Sequence, residues 1–249
     1  MNMDLEGNVA IVTGGSRGIG AAISTELARR GCDVAIVDVS PVEAAAAVRE
    51  EIERAGRRAL VVQSDVSDFD ASTSVVATVL EELGRLDILI CNAGIFRDSV
   101  IWKMTEEQWD SVLDVNLKGC FNYCRAAAPV FRKQDSGRIV NITSINGLRG
   151  KFGLSNYAAS KGGIIALTKT VAKELGRSGV NVNAVAPGMV ATGMGDQIPQ
   201  EVLDQAVNET VLGRIATPED IARVVAFLCS EGARHITGEI IKVDGGQYI

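Results

Sequence analysis

Short apolar runs alternate with longer stretches of helical periodicity along the whole chain. Val9-Ala-Ile-Val-Thr13, Asp33-Val-Ala-Ile-Val-Asp38, Ala59-Leu-Val-Val-Gln63 and Leu86-Asp-Ile-Leu-Ile-Cys91 read as buried strands, as do Arg138-Ile-Val-Asn-Ile142, Val180-Asn-Val-Asn-Ala-Val185 and Glu239-Ile-Ile-Lys-Val243. Between them the apolar spacing predicts helices near 18–30, 42–55, 69–83, 105–133, 156–178 and 218–230. Strands apolar on both faces and separated by helices belong to a parallel sheet covered on both sides. Right-handed crossovers then give an α/β fold, a single doubly wound Rossmann domain over 1–249 with seven parallel strands. No Pro/Ser-rich linker, composition break or internal repeat divides it. The segment 188–212, rich in Gly, Met and polar residues, is the longest stretch not committed to the core and is a candidate lid over a substrate.

Composition narrows the chemistry. The 249 residues carry a formal charge of -6, which disfavours nucleic acid as a partner because phosphate binding needs clustered Lys and Arg. One histidine, His235, leaves no multi-histidine metal site, and a Ser-His-Asp hydrolase would have to use it. It reads most simply as a structural residue before the last strand, and no metal is expected. The five cysteines (Cys32, Cys91, Cys120, Cys124, Cys229) form no C-x-x-C pair, and Cys120 and Cys124 share a helix face without bridging. Their odd count and spacing suggest reduced thiols. No apolar run reaches membrane-spanning length and the start Met-Asn-Met-Asp-Leu-Glu lacks signal-peptide character, so a cytoplasmic protein is expected.

The first strand is followed by Thr13-Gly14-Gly15-Ser16-Arg17-Gly18-Ile19-Gly20 and then a helix. Glycines let a backbone turn sharply against a pyrophosphate, and a helix N-terminus offers free N–H groups. The spacing G-x-x-x-G-x-G differs from G-x-G-x-x-G and from the P-loop, so no P-loop kinase or ATPase is implied. Asp38 closes the second strand, where a carboxylate can accept both adenosine ribose hydroxyls and repel a 2′-phosphate. Arg17 in the turn argues the other way, since a guanidinium could hold that phosphate. Weighing Asp38 above Arg17 favours NAD over NADP.

Asn92-Ala93-Gly94, Asn116, Ser144, Tyr157-Ala-Ala-Ser160-Lys161 and Pro187-Gly188 follow in order. With Thr13–Gly20 and Asp65-Val66, this set resembles the short-chain dehydrogenase/reductase family over essentially the whole chain. Asn156–Lys161, Asn183–Gly188 and the terminal Val243–Tyr248 are most similar to its 3-oxoacyl-thioester (acyl-carrier-protein) reductases. The resemblance implies a dinucleotide held by Gly14, Ser16, Arg17, Gly18, Ile19, Gly20, Asp38, Asp65, Val66, Asn92, Ala93, Gly94, Tyr157, Lys161, Pro187, Gly188, Val190 and Thr192. It implies Asn116, Ser144, Tyr157 and Lys161 as the catalytic residues, and a homotetramer. Tyr157 and Lys161 lie four apart, on one helix face. A free tyrosine titrates near ~10, and an adjacent ammonium is expected to lower that value toward neutral. Tyr157 would then exchange a proton with the alcohol or carbonyl oxygen, with Lys161 tuning it and holding the nicotinamide ribose. Ser144 would hydrogen-bond that oxygen, and Asn116 would support a water leading to Lys161.

Substrate contacts are expected from Ser144, Ile145, Leu154, Tyr157 and Met189, and the pocket walls Phe96, Ile145, Leu154, Met189 and the lid 188–212 are mostly apolar. The oxoacyl reductases usually carry Gln three residues before the tyrosine, where this chain has Leu154. Arg132, Lys133 and Lys173 read either as a basic patch for a phosphopantetheine carrier or CoA, or as solvated helix surface, the latter favoured. The partner is a small alcohol or ketone or an acyl thioester. Two further readings stand: an NAD-dependent dehydrogenase of a small or cyclic secondary alcohol, and a non-catalytic dinucleotide sensor on the same fold.

Overall fold

The structure is a computed structural model that describes residues 4–192 and 200–249. Seven strands, β1 (Val9–Thr13), β2 (Asp33–Asp38), β3 (Ala59–Gln63), β4 (Ile88–Cys91), β5 (Gly137–Ile142), β6 (Val180–Pro187) and β7 (Ile240–Val243), form one sheet in the order 3-2-1-4-5-6-7. Every pairing is parallel. The helices are α1 (Gly18–Arg29), α2 (Ala46–Arg54), α3 (Phe69–Leu83), α4 (Glu106–Leu113), α5 (Gly119–Gln134), α6 (Ile145–Arg149), α7 (Ser155–Leu175), α8 (Gln200–Glu209) and α9 (Pro218–Cys229).

Strand side chains alternate between two cores, as the pleat requires. Val9, Ile11, Ala35, Val37 and Leu89 pack with α3, α5 and α7 on one face. Ala10, Val12, Val34, Ile36, Ile88 and Ile90 pack with α1, α2 and α9 on the other. This is why the strands read as continuous apolar runs rather than as alternations. Helix starts are set by local chemistry: Thr105 with Gln108 and Thr217 with Asp220 form reciprocal capping boxes, and Asp68 caps α3.

The seven strands stand where the apolar runs placed them, within two residues. The helix expected over 105–133 is interrupted: α4 and α5 are joined by a π-helical turn, Asp114–Lys118, with the Gly119 N–H donating to the Asp114 carbonyl. The turn inserts one residue and rotates the downstream apolar stripe by about 100°, an offset that reads as an irregularity within one long helix. The predicted lid also resolves into parts. Residues 188–192 are pinned to neighbouring chain, 193–199 lie outside the described residues, and α8 begins at Gln200.

Candidate active site

The strand order reverses between β1 and β4, and an open parallel sheet forms its ligand crevice at such a reversal, beyond the strand C-termini. Thr13 ends β1, and its Oγ1 accepts from the Asn92 N–H (3.0 Å) and the Ala93 N–H (3.1 Å). Asn92 Nδ2 donates to the carbonyls of Thr13 (2.9 Å) and Gly14 (3.0 Å), lashing the end of β4 to the glycine turn. Two glycines are dictated by this closeness. Gly14 has φ +62, and a Cβ on Gly20 would lie 2.0 Å from the Gly14 carbonyl oxygen and 2.6 Å from Asn92 Nδ2. Gly18 opens α1 after an extended Arg17, whose exposed side chain makes no capping bond, so the first-turn N–H groups of α1 have no side-chain cap. Thr192 lies opposite, its Cγ2 3.5 Å from where a Gly18 Cβ would stand.

Asp38 stands buried at the end of β2. One carboxylate oxygen accepts from the Ser16 hydroxyl and the other from the Ser40 N–H at 3.0 Å. Burial alone would raise its pKa, but these hydrogen bonds outweigh burial and hold the carboxyl below the usual range. Asp65 is exposed and heads a turn by accepting from Ser67 N–H and Oγ, while the Val66 carbonyl accepts from Asn122 Nδ2 at 2.9 Å. On the far wall, Gly188 N–H donates to Val243 O and Met189 N–H to Gln247 Oε1 at 2.9 Å; Val190 bridges to Ala216.

The remaining candidates converge on α7. Ser144 caps α6, its Oγ accepting from the Asn146 N–H at 3.1 Å. Tyr157 stands in the first turn of α7, partly buried, and Lys161 follows one turn later and is buried. Lys161 Nζ donates to the Ile142 carbonyl at 2.8 Å and lies 5.6 Å from the centre of the Tyr157 ring. Asn116, in the π-helical turn, spends both its amide donors: Nδ2 donates to Ile95 O (2.9 Å) and Ser160 Oγ (3.1 Å), and Oδ1 accepts from Ile95 N–H (2.8 Å). That side chain is a tie between the loop after β4 and α7, so it has no donor to spare for the water expected from the sequence. Any such support must come from the second lone pair of Oδ1 or from the main chain of the π-helical turn.

The electrostatics correct a second expectation. Lys161 does not bring Tyr157 toward neutral: burial pushes the phenol above 10, the Ser144 hydroxyl pulls it part of the way back, and the Asp98 carboxylate pushes it up further. The ammonium is turned to Ile142, and burial dominates. Lys161 itself is pushed down from 10.5 to about 8 by burial, with the Cys120 and Cys91 sulfurs opposing. At neutral pH the site therefore presents Tyr157 as a protonated phenol, an O–H donor.

Other candidates fall less neatly. Ile145 is buried, Leu154 pairs with Ser99 in an isolated bridge, and Met189 is partly buried near the mouth. Phe96 is 55% exposed and forms no wall of a closed pocket. Lys173 is exposed and sixteen residues along α7 from Tyr157, a rise of about 24 Å. Arg132 and Lys133 are likewise exposed at the far end of α5. These three cations are solvated surface, remote from the crevice. His235 is exposed in the turn before β7.

Residue patterns missed several supports. Thr13 joins the two loop ends, and Asp98 raises the phenol. Asn156 accepts from the Tyr157 N–H (2.7 Å) and donates to the carbonyls of Arg97 and Gln108, fixing the start of α7. Gln247 holds Met189 from the C-terminus. Asn156 and Gln247 fell within the stretches that carried the resemblance, but nothing local marks what they bond.

A profile of the enoyl-(acyl carrier protein) reductase family matches residues 14–247. The chain is 43% identical to the 3-oxoacyl-(acyl-carrier-protein) reductase FabG of Staphylococcus aureus over 240 residues, 96% of this chain and 98% of that one. It is 42% identical to FabG of Thermotoga maritima over 247 residues, 99% and 100% of the two chains. A solved structure from Sinorhizobium meliloti 1021, assigned to the short-chain alcohol dehydrogenases, superposes with a TM-score of 0.95 at 37% identity, covering 99% of this chain and 98% of that one. With the parallel sheet, the glycine turn at its reversal and the Ser144, Tyr157 and Lys161 group at its mouth, these likenesses place the chain in the short-chain dehydrogenase/reductase family of oxidoreductases.

Proposed function

We propose that this protein interconverts a 3-oxoacyl and a 3-hydroxyacyl thioester with NAD(H) as its hydride carrier. The observation that carries the reading is Tyr157 in the first turn of α7 with the Lys161 ammonium 5.6 Å from its ring and Ser144 at the cap of α6, a set that suits hydrogen bonds to one carbonyl oxygen. The 42–43% identity to 3-oxoacyl reductases over nearly the whole chain favours C=O reduction over the C=C reduction of the enoyl reductases. The nicotinamide supplies or takes the hydride when bound. Its pyrophosphate suits the uncapped N-terminus of α1, which the turn brings forward because Gly14 and Gly20 pack without side chains against Ala93, Asn92 and the Gly14 carbonyl. Asp65, Val66, Asn92, Ala93, Gly94, Pro187, Gly188, Val190 and Thr192 line the same crevice in this reading.

In the reducing direction the Tyr157 phenol donates its proton to the oxygen of the carbonyl carbon that has gained the hydride. Ser144 holds that oxygen, and Lys161, cationic over most of the neutral range, adds positive charge beside the phenolate that forms. Asn116 and Asn156 keep the loop after β4 and α7 in register. Asp38, anionic and buried where the adenosine ribose would lie, supports NAD over NADP because it repels a 2′-phosphate.

Acetoacetyl thioesters, cyclic ketones and simple secondary alcohols, each assayed with NADH or NADPH (or the oxidised forms), test this. Turnover of the thioester with NADH is expected, and Tyr157→Phe should abolish it while NADH still binds. NADPH preference would refute the weight placed on Asp38, and NADH binding without turnover would favour a sensor. Leu154, where oxoacyl reductases usually have Gln, favours the second reading, oxidation of a small secondary alcohol, and the same panel separates the two. A homotetramer belongs to this proposal. The β7 edge, the exposed Phe227 on α9 and the exposed Ile249 support it, and light scattering would test it.

A further inference from the structure

The face of the sheet that packs on α3, α5 and α7 holds three cysteines the proposed reaction does not use. Cys91 ends β4, and Cys120 and Cys124 stand one turn apart on α5. All three are buried, and their sulfurs lie within 4.8 Å of one another. Asn141 on β5 aims a polar atom into the group: its Oδ1 is 3.3 Å from Cys120 Sγ and 3.9 Å from Cys124 Sγ, while its Nδ2 donates to Thr168 Oγ1 at 3.0 Å. That outer hydrogen bond fixes which end of the amide faces the sulfurs. No other such group of donors occurs among the described residues.

We propose that Cys91, Cys120 and Cys124 form a binding site for a thiophilic divalent cation such as Zn2+ or Cd2+, with Asn141 Oδ1 as a fourth donor. A zinc–thiolate bond of ~2.3 Å requires sulfurs about 3.8 Å apart in a tetrahedral set, so the trio, within 4.8 Å, closes by at most about 1 Å to take the ion. Soft sulfur donors select this class over Mg2+ or Ca2+. On binding, each thiol gives its proton to solvent and its sulfur forms one bond to the cation, so no electron is transferred and the filled site carries one net negative charge. Filling it also bears on catalysis. Cys91 directly precedes Asn92, Cys120 follows the π-helical turn that holds Asn116, and Asn141 directly precedes the Ile142 carbonyl bound to Lys161. Closure of the trio moves those anchors, so occupancy inhibits.

The test is a titration of the reduced full-length protein with Cd2+, followed by the ultraviolet charge-transfer absorption of cadmium–thiolate bonds. One absorbing equivalent per chain is expected in the parent and in Cys229→Ala, whose cysteine packs on the opposite face. Cys120→Ala and Cys124→Ala should each weaken binding beyond the roughly 10–100-fold that loss of an outer-shell partner costs. Two variants guard against one failing to fold. Cd2+ should also raise the thermal midpoint of the parent and not of a folded variant, and a chelator should restore activity. Absence of thiolate absorption, or equal binding by the parent and both cysteine variants, would overturn the proposal.

Discussion

Asn92 offers the sharpest test of how the crevice is built, because its amide makes two bonds that only a donor can make. In Asn92→Ala both are lost, which leaves the Thr13 and Gly14 carbonyls without them. At about 1 kcal/mol net for each ordinary hydrogen bond, the change should destabilise the fold by about 2 kcal/mol. Asn92→Asp keeps the shape but points a carboxylate oxygen at two carbonyl oxygens 2.9 and 3.0 Å from the former nitrogen. Leaving acceptors facing acceptors adds roughly 1–3 kcal/mol, so the near-isosteric variant should be the less stable. The order has a pH signature. Repulsion would raise the pKa of the new Asp in the folded state above its unfolded value of ~3.9, so its relative stability is greatest at acid pH and is lost as pH rises through the folded pKa. Urea unfolding of both variants between pH 5 and 8, with NADH affinity by fluorescence, checks this. An Asn92→Asp protein as stable as Asn92→Ala at pH 8, or undiminished NADH binding by Asn92→Ala, would refute the clamp.

Four further outcomes follow from the same geometry. With the Tyr157 phenol pushed above 10, kcat/KM for reduction should stay flat from pH 6 to about 8, while that for alcohol oxidation climbs with pH, and an oxidation profile that levels off below pH 8 would contradict the buried phenol. Asp98→Asn removes a carboxylate that raises that phenol, so the rise in oxidation should move to lower pH in the same assay. Gly20→Ala places a Cβ 2.0 Å from the Gly14 carbonyl oxygen; isothermal titration should show NADH affinity down by about tenfold or more, equivalent to about 1.4 kcal/mol, despite the gain in helix propensity of roughly 1 kcal/mol. Lys161→Met should abolish turnover yet stabilise the dinucleotide-free protein at pH 7 by up to about 3 kcal/mol in urea unfolding, because the folded pKa of about 8 lies below the unfolded value near 10.5. The lysine's cost is fully present below pH 8 and fades as pH rises toward 10.5, so the gap between parent and variant should narrow over that window.

The strands and the catalytic group were legible for different reasons. A strand buried on both faces writes itself as an uninterrupted apolar run, so Val9–Thr13 and Asp33–Asp38 match the observed β1 and β2 end to end. Tyr157 and Lys161 were legible because two reactive groups one helical turn apart share a face. What escaped depends on distances between residues far apart in sequence. The π-helical turn at Asn116 offsets the apolar stripe within 105–133 by about 100°, and only the hydrogen bonds identify it as a π turn. The direction of the Tyr157 shift depends on burial and on Asp98, fifty-nine positions away, neither of which the Tyr-x-x-x-Lys spacing contains. The thiol trio likewise joins β4 to α5, and in sequence Cys91 stands alone.

Side-chain amides, more than the backbone, hold this site together, and the topology explains why. Where parallel strands end, the backbone ladder stops and the chain splays into loops, so N–H and C=O groups there need other partners. Asn92 supplies donors to the turn after β1, Asn116 brackets both polar groups of Ile95 and reaches Ser160, and Asn156 binds Arg97 and Gln108 while capping the Tyr157 N–H. Each amide joins the loops beyond β1 or β4, or α4, to a second element. An amide is costly to bury unless paired, so each exchanges a penalty for a geometric constraint. Aspartate at these positions would keep the shape while replacing the donors with charge. Because Asn116 and Asn156 both tie the loop after β4 to α7, their losses should not add: once one tie is cut the loop can move, and the second has less to hold. That coupling is what holds the start of α7, and Tyr157 with it, against the loop after β4.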